Sequence, residues 1–567
     1  MMKAIDLHTH SNASDGTYTP SELIDYAVEK NLGAIALTDH DTVDGINEAL
    51  NRASYYSAQG IEIEVIPGIE FSTEYQGKDI HIVGLYIDKE CEYFKRRIEK
   101  FALSRIKRNR QMCQKLREHG MDVTYEELET AFPQGTITRA HFARILMMKG
   151  YTKSIKEGFD RFIGDRCPCY VSRKKISPFR AVEIIRKSGG VPILAHPILY
   201  GMSKSRLEIL VSRLKAAGLM GIEAVYSTYD ASDERQIRQL ASEYDLVISG
   251  GSDYHCKNKA YIDLGTGLGH LFVSEDVLDG IKNAHNYVLN SSDSYRLQKI
   301  LFTDLDGTLL REDKKISNYT FDVLKKWTEA GHYIALCSGR DINSVNSVYE
   351  ELGLSSLNNV YTIAYNGGLI YDCHNRKTLH KNALGVEDVA YVCQKAQEAG
   401  IYIQTYSDDN LIVMDVTEET LFYQRVIKTP VLISPGDLTD ALTEGPCKCL
   451  LIELHDKNRL IAFKENMSEW AKERGISMMF SNEYYMEVIP SDAGKGKAVE
   501  LLCQMLGIPG IVSVAAGDAQ NDISMLDASD VAIAMLNADE EIKEASSMVT
   551  DFDNDNDGLA KALEDII

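Results

Sequence analysis

The sequence predicts two α/β units in tandem, each built on a parallel sheet or barrel, and three observations lead to this. Short apolar strands alternate with helical patterns in two series, one starting at Ala4 and the other at Lys299, as parallel sheets with crossover helices require. The 567 residues correspond to three or four packing units at roughly 150 residues each. Charge changes at the same place: residues 1–298 carry 38 Lys and Arg against 40 Asp and Glu, a net of −2, whereas residues 299–567 carry 23 against 44, a net of −21.

Each element follows from local chemistry. Ala4-Ile5-Asp6-Leu7 reads as the first strand, and Thr19-Pro20-Ser21-Glu22 opens a helix with Pro early and Glu in its first turn. Ala34 to Thr38, Glu64 to Gly68 and Ile80 to Tyr86 are the next strands. Residues 91–165 lack strand signals and are expected to form an inserted helical subdomain. Strands resume at Gly190 to Leu194, Gly221 to Val225 and Leu246 to Ile248, so the first domain is expected to span 1–290. The polar run Asn290-Ser291-Ser292-Asp293-Ser294 marks a linker, taken as residues 291–298, and residues 299–567 are read as the second domain.

Composition narrows the class. Apolar residues make up 44% and charged residues 26%, which excludes a disordered or fibrous chain. No apolar run approaches about 18 residues, so no membrane partner is expected. The start, Met1 to His8, has no apolar signal-peptide core. The 11 cysteines form no C-x-x-C pair, and a reduced cytoplasmic protein is the expectation. The acidic second half should repel nucleic acid. Lys95 to Arg117, with ten Lys and Arg against Glu99 alone, is the basic stretch open to polyanions. Long duplex nucleic acid is not an expected partner.

The first constellation reads as a metal site. Strand one ends in Asp6-Leu7-His8-Thr9-His10, and positions i and i+2 of a strand share a face, so both imidazoles point one way. Asp15 follows in a glycine-containing loop. Strand two ends in Thr38-Asp39-His40-Asp41 and strand three in Pro67-Gly68-Ile69-Glu70, with His81 on the next strand. His196 follows Leu194-Ala195, and Ser252-Asp253-Tyr254-His255 repeats the i, i+2 spacing. Barrel chemistry gathers at the C-terminal ends of strands. Six His, two Asp and one Glu make nine N and O ligands without a thiolate, a set that suits Mn, Fe or Zn in a multinuclear hydrolytic centre.

These motifs, with Ala195-His196-Pro197, resemble the polymerase and histidinol phosphatase (PHP) family over about residues 1–290. The resemblance implies a distorted (β/α)7 barrel with a trinuclear Mn²⁺ (or Fe or Zn) centre. It implies that His8, His10, Glu70 and Asp253 hold one metal, and that Glu70 bridges to a second held by His81 and His196. Asp15, His40 and His255 would hold the third. Ser104-Arg105 and Thr138-Arg139-Ala140-His141-Phe142-Ala143-Arg144 in the helical insert look like the branch that dephosphorylates 5′-nucleotides and 3′,5′-nucleotide bisphosphates. Some members of that branch trim short 5′-phosphorylated RNA. Arg105 and Arg139, with Lys174 or Lys175, would clamp the phosphate through charge-assisted bonds.

The second constellation reads as a phosphoaspartate site. Strand Ile300 to Thr303 runs into Asp304-Leu305-Asp306-Gly307-Thr308. Two carboxylates at i and i+2 past a buried strand can divide the work, one attacking phosphorus and the other protonating the leaving oxygen. Strand Tyr333 to Cys337 ends in Ser338-Gly339-Arg340, whose hydroxyl suits a phosphoryl oxygen. Lys495 supplies positive charge, and Gly517-Asp518-Ala519-Gln520-Asn521-Asp522 carries acids that suit Mg²⁺. In this order the four motifs resemble the haloacid dehalogenase (HAD) superfamily, which implies a Rossmann-like core. Thr362 to Gly368 and an insert near 375–485 resemble the Cof-type branch, with an α/β cap. By that resemblance Asp304 is the nucleophile and Asp306 the acid/base. Asp304, the backbone carbonyl of Asp306, and Asp518 bind Mg²⁺, with Asp522 beside them, and Asn366 and Asn521 line the site. Motif two carries Cys337-Ser338 where Thr is usual before Gly-Arg, which keeps the hydroxyl.

The expected function is a bifunctional phosphohydrolase acting on small phosphorylated substrates. In the alternative, the barrel opens a cyclic phosphodiester of the phosphoribosyl type and works with the second domain. A non-enzymatic scaffold is disfavoured, because neither site lacks an expected ligand or catalytic acid.

Overall fold

The strand-rich runs of the first series fold into one curled sheet. The computed structural model describes residues 3–132, 137–164, 167–171, 176–291, 295, 297–425, 427, 429–481 and 483–566, without the side chains of residues 100 and 104. It divides into two units, Met1–Leu297 and Gln298–Ile567. Much of the segment read as a linker, with residues 292–294 and 296, lies outside the described residues.

In the first unit the strands are β1 (Ala4–Thr9), β2 (Ala34–Leu37), β3 (Glu64–Tyr75), β4 (Lys78–Leu85), β5 (Val191–Leu194), β6 (Gly221–Tyr226), β7 (Val247–Gly251) and β8 (Val273–Ser274). The sheet order is β7-β6-β5-β4-β3-β2-β1-β8. It curls until Thr9 bridges to Tyr254, with Asp253 N–H donating to the carbonyl of His8 at 2.9 Å. The barrel is therefore nearly closed. Two sequence expectations are corrected here. The third strand does not end at Glu70, and the fourth is not parallel: β3 runs on to Tyr75 and folds back as β4, with Gly68 opposite Leu85 and Tyr75 opposite Lys78. β4 is also antiparallel to β5. Pro67-Gly68 reads as a stop signal, but this backbone continues because its far half pairs in the hairpin. That hairpin is the distortion of the barrel.

Ile5, Leu7, Ala36, Ile66, Val83 and Ile193 fill the barrel, with Leu278, Ile281 and Val288 of the helix Glu275–Ser291 packed on them. Burial of each such Leu or Ile stabilises the fold by about 1.5–3 kcal/mol. Between β4 and β5 lies the helical insert. After α1 (Pro20–Glu29) and α2 (Ile46–Ser57) come its helices α3 (Glu92–Glu118), α4 (Tyr125–Ala131) and α5 (Arg139–Met148). They share a core of Met112, Leu116, Leu128, Phe142 and Leu146. Thr19 caps α1 by accepting from Glu22 N–H, and Glu22 returns the bond in a capping box.

The second unit holds two sheets. The core sheet contains β9 (Lys299–Asp304), β10 (Tyr333–Cys337), β11 (Val360–Ala364), β12 (Leu369–Asp372) and β13 (Lys377–Lys381). The cap sheet contains β14 (Tyr402–Tyr406), β15 (Leu411–Val413), β16 (Val431–Ile433), β17 (Cys449–Ile452), β18 (Ile476–Phe480) and β19 (Tyr485–Pro490). The chain then returns to the core as β20 (Val512–Gly517), β21 (Val531–Ala534) and β22 (Met548–Val549). The core order is β13-β12-β11-β10-β9-β20-β21-β22 and the cap order β16-β15-β14-β17-β19-β18. β9 is parallel to both β10 and β20, so their C-terminal ends open on one crevice.

Candidate active sites

In the barrel, His8 and His10 come from the end of β1 and His40 from the loop after β2. Glu70 and His81 face each other from the hairpin, and His196 and Asp253 follow β5 and β7. Glu70 is the hub. Its Oε2 lies 3.2 Å from His8 Nε2, 3.3 Å from His10 Nε2 and 3.1 Å from His40 Nδ1. Its Oε1 lies 2.7 Å from His81 Nδ1 and 3.2 Å from His196 Nε2. Asp253 Oδ1 is 3.2 Å from His10 Nε2, and Asp15 Oδ1 is 3.3 Å from His255 Nε2.

Three donor groups emerge: His8, His10, Glu70 and Asp253; His10, Asp15, His40 and His255; and His40, Glu70 and His81. His40 thus stands with Glu70 and His81, at the place where the resemblance put the second metal between His81 and His196. His8 Nε2, both ring nitrogens of His10, His40 Nδ1 and Glu70 Oε2 are buried without a hydrogen-bond partner. Buried polar atoms left in this way are costly, and atoms converging on shared points fit divalent cations.

Neighbouring groups fix the donors. Glu223 Oε1 lies 3.1 Å from His8 Nδ1, and Oε2 accepts from His196 N–H at 2.8 Å. A carboxylate only accepts, so Nδ1 of His8 carries the proton and Nε2 turns its lone pair inward. The carbonyl of Asp253 does the same for His255 Nδ1 at 2.8 Å. Tyr226 OH and Lys259 Nζ both donate to Asp253 Oδ2 at 2.7 Å, leaving Oδ1 to the cluster. Sequence reasoning missed these three. Glu223 had a signal, an acid inside the apolar run Gly221-Ile222-Glu223-Ala224-Val225; Tyr226 and Lys259 had none.

Charge in the cluster is strongly coupled. Burial disfavours protonated His10, but Asp253 and Glu70 outweigh it and push its pKa up to about 9. Burial holds His40 down to about 3, against Glu70 and Asp15. Burial alone would raise Glu70, yet His40, His8 and His81 hold it well below the carboxylate range.

Arg105 is buried and donates to Asp41, so it braces the loop after β2. Arg139, at the first position of α5, lies over the Tyr170 ring at 5.4 Å. Lys174 and Lys175 lie outside the described residues.

In the second unit, Asp304 ends β9 and is buried. Lys495 Nζ donates to Asp304 Oδ1 at 2.5 Å and to Asp522 Oδ1 at 2.6 Å. Asp518 accepts from Thr308 Oγ1 at 2.7 Å and joins Asp304 and Asp522 in one donor group. Gly307 has φ 78°, and a Cβ on it would stand 2.3 Å from Asp518 Oδ2, so only glycine fits this turn. Burial raises Asp304 to about 7, against Lys495 and with Asp522 adding to the rise. Burial also raises Asp518, to about 6. Crowded carboxylates of this kind fit a hard cation with oxygen ligands.

The carboxylate of Asp306 stands outside that donor group; Arg340 grips it, with Nη2 at 2.6 Å, and Lys314 Nζ donates at 2.8 Å. β9 ends at Asp304, and Asp306 lies in the turn beyond it. Ser338 is buried, and its Oγ accepts from Arg340 N–H at 3.2 Å. Asn366 is buried and Asn521 is exposed beside Asp522.

Two hydrolytic sites of this make-up define a metal-dependent phosphoesterase. The PHP domain profile matches residues 6–164, and the profile of haloacid dehalogenase-like hydrolases matches residues 301–563. A 5′-3′ exoribonuclease of Haemophilus influenzae is 35% identical over 47% of this chain and 95% of its own length. A 3′,5′-nucleoside bisphosphate phosphatase of Chromobacterium violaceum is 33% identical over 47% of this chain and 91% of its own. Over the second half, a 5-amino-6-(5-phospho-D-ribitylamino)uracil phosphatase of Bacillus subtilis is 28% identical, covering 47% of this chain and 98% of its own length. The chain belongs to the PHP family through its first part and to the haloacid dehalogenase-like hydrolases through its second. It is a hydrolase of phosphoric esters. Among the described residues no helix is long and apolar enough to cross a membrane.

Proposed function

We propose that the barrel hydrolyses the phosphoesters of 5′-nucleotides, 3′,5′-nucleotide bisphosphates or short 5′-phosphorylated RNA, and that the second unit hydrolyses a small phosphomonoester through a phosphoaspartate. The observation that carries this reading is Glu70, whose two oxygens divide five imidazoles three to two. Manganese, or iron or zinc, suits the nitrogen-rich barrel set, and magnesium the all-oxygen set at Asp304. Cations bound there supply Lewis acidity and neutralise phosphoryl charge.

The chain's own residues do the rest. In the barrel, Glu70 and Asp253 set the spacing of the donors and Glu223 keeps His8 in the right tautomer. Arg139, with Lys174 and Lys175, receives the phosphate, and Arg105 acts through Asp41. In the second unit, Lys495 holds Asp304 in line and Ser338 and Asn521 bind phosphoryl oxygens. A carboxylate oxygen of Asp304 attacks phosphorus and the bond to the leaving oxygen breaks. Asp306, released from Arg340, gives that oxygen its proton. Asp306 then takes a proton from water, which attacks the phosphoaspartate and releases phosphate with the Asp304 carboxylate restored.

The test is a phosphoester panel with Mn²⁺ or Mg²⁺ on wild type, His10→Ala and Asp304→Asn proteins. Nucleotide and RNA hydrolysis should vanish in the first variant only, and hydrolysis of a small phosphomonoester in the second only. Both activities surviving His10→Ala would refute the barrel reading.

A further inference from the structure

The base of the cap carries a buried charge pair that the steps at Asp304 leave unexplained. Lys448, just before β17, and Glu487, on β19, are 1% and 3% exposed. Lys448 Nζ donates to Glu487 Oε1 at 3.1 Å and to the backbone carbonyl of Gly339 at 2.8 Å. Gly339 separates Ser338 from Arg340 in the loop after β10. The other oxygen of Glu487 accepts from Asn366 Nδ2 at 2.7 Å. Asn366 has φ 54°, and its backbone N–H donates to the carbonyl of Ser338 at 3.0 Å. It lies so close to Gly339 that a Cβ there would stand 3.0 Å from its side-chain amide. One chain of contacts thus runs from the cap strands to the loop that holds Ser338 and, through Arg340, Asp306.

This chain has a direction. A buried ammonium requires an anion beside it, and a carboxylate can only accept hydrogen bonds. Glu487 therefore obliges Asn366 to present Nδ2 to it, and Oδ1 faces the opposite way. Asn366 is 6% exposed, and Oδ1 is buried with no hydrogen-bond partner. A buried acceptor in this state calls for a donor. We propose that Lys448 and Glu487 are positioning residues that fix the polarity of Asn366, so that its Oδ1 accepts a hydrogen bond from a hydroxyl on the leaving group of the ester cleaved at Asp304. The inference rests on the reading of Asp304 as the nucleophile.

The experiment measures kcat and KM on full-length protein carrying His10→Ala, so that the barrel does not contribute. Phenyl phosphate, whose leaving group offers no further hydroxyl, is compared with glycerol 3-phosphate, ribose 5-phosphate and a hexose 6-phosphate. The parent should prefer a hydroxylated ester. Glu487→Gln lets the Asn366 amide turn over, because a carboxamide both donates and accepts. It should lower kcat/KM on the preferred ester by about tenfold or more, and on phenyl phosphate by less than about threefold. Lys448→Met with Glu487→Leu removes both charges together, which buried pairs tolerate in stability. This double variant should show the same split with a thermal midpoint within a few degrees of the parent. A parent indifferent to hydroxyls, equal losses on both kinds of substrate, or no loss in either variant would overturn the proposal. Asp304→Asn in the same background separates the two readings. If it is inactive while Glu487→Gln behaves as the parent, the relay alone fails; if it turns over substrate, the nucleophile fails and the relay with it.

Discussion

Around Glu70 one carboxylate meets five imidazoles, whereas around Lys495 one ammonium meets two carboxylates, Asp304 and Asp522. The barrel site draws its donors from the ends of several strands and from a hairpin, and every carboxylate in it already faces imidazoles. The second site places a single buried carboxylate at the end of a strand with a lysine on it, the arrangement of an oxygen nucleophile held in line. The difference teaches that two routes to one bond cleavage differ first in what attacks. That choice shows in which donors are shared and which stand alone.

The largest effects should break the comparison cleanly. His10→Ala and Asp304→Asn should each cost at least about 10³-fold in kcat at their own site and leave the other within about twofold, read with a nucleotide and a small phosphomonoester. Cross-inactivation would mean one coupled site instead of two. Next, Glu223→Gln replaces a carboxylate that can only accept, one oxygen toward His8 Nδ1 and the other toward His196 N–H, with an amide that can accept at only one of them, so the His8 tautomer is no longer fixed. It should weaken divalent-metal binding at the barrel by about 10–100-fold, measured by titration of metal-free protein, with the second site unchanged. Arg139→Ala should lower kcat/KM on nucleotide substrates by about 10–100-fold, or about 1.4–2.7 kcal/mol; unchanged kinetics would remove Arg139 from the site. The smallest effect is expected of Tyr226→Phe. It deletes one of two donors to Asp253 Oδ2 while Lys259 remains, so about 1 kcal/mol, or about fivefold in barrel activity, is expected. A loss as large as that of His10→Ala would make Tyr226 a reacting group.

What was legible in the sequence follows the same division. Residues that sit at strand ends could be read, because period two and the end of an apolar run place them: His8 and His10 at the end of β1, and Asp304 at the end of β9. Residues brought in by tertiary pairing could not. Pro67-Gly68 marks a stop in any local reading, yet β3 continues through it and returns as β4, which is how Glu70 comes to face His81 and His196. The tie between Arg105 and Asp41 spans 64 positions and leaves no periodic trace. Lys448 and Glu487 read as ordinary charges in the cap, and only the fold reveals that they are buried together.

The central claim is that the protein itself attacks phosphorus in one site and not in the other. Mass spectrometry of the full-length protein, quenched during turnover of a small phosphomonoester with Mg²⁺, tests it most directly. Asp306→Asn should slow breakdown of the intermediate and raise its yield. The account predicts a phosphoryl adduct on the peptide containing Asp304, lost in Asp304→Asn, and none on any barrel peptide during nucleotide hydrolysis. Normal turnover with Asn at position 304, or an adduct on the barrel, would contradict it.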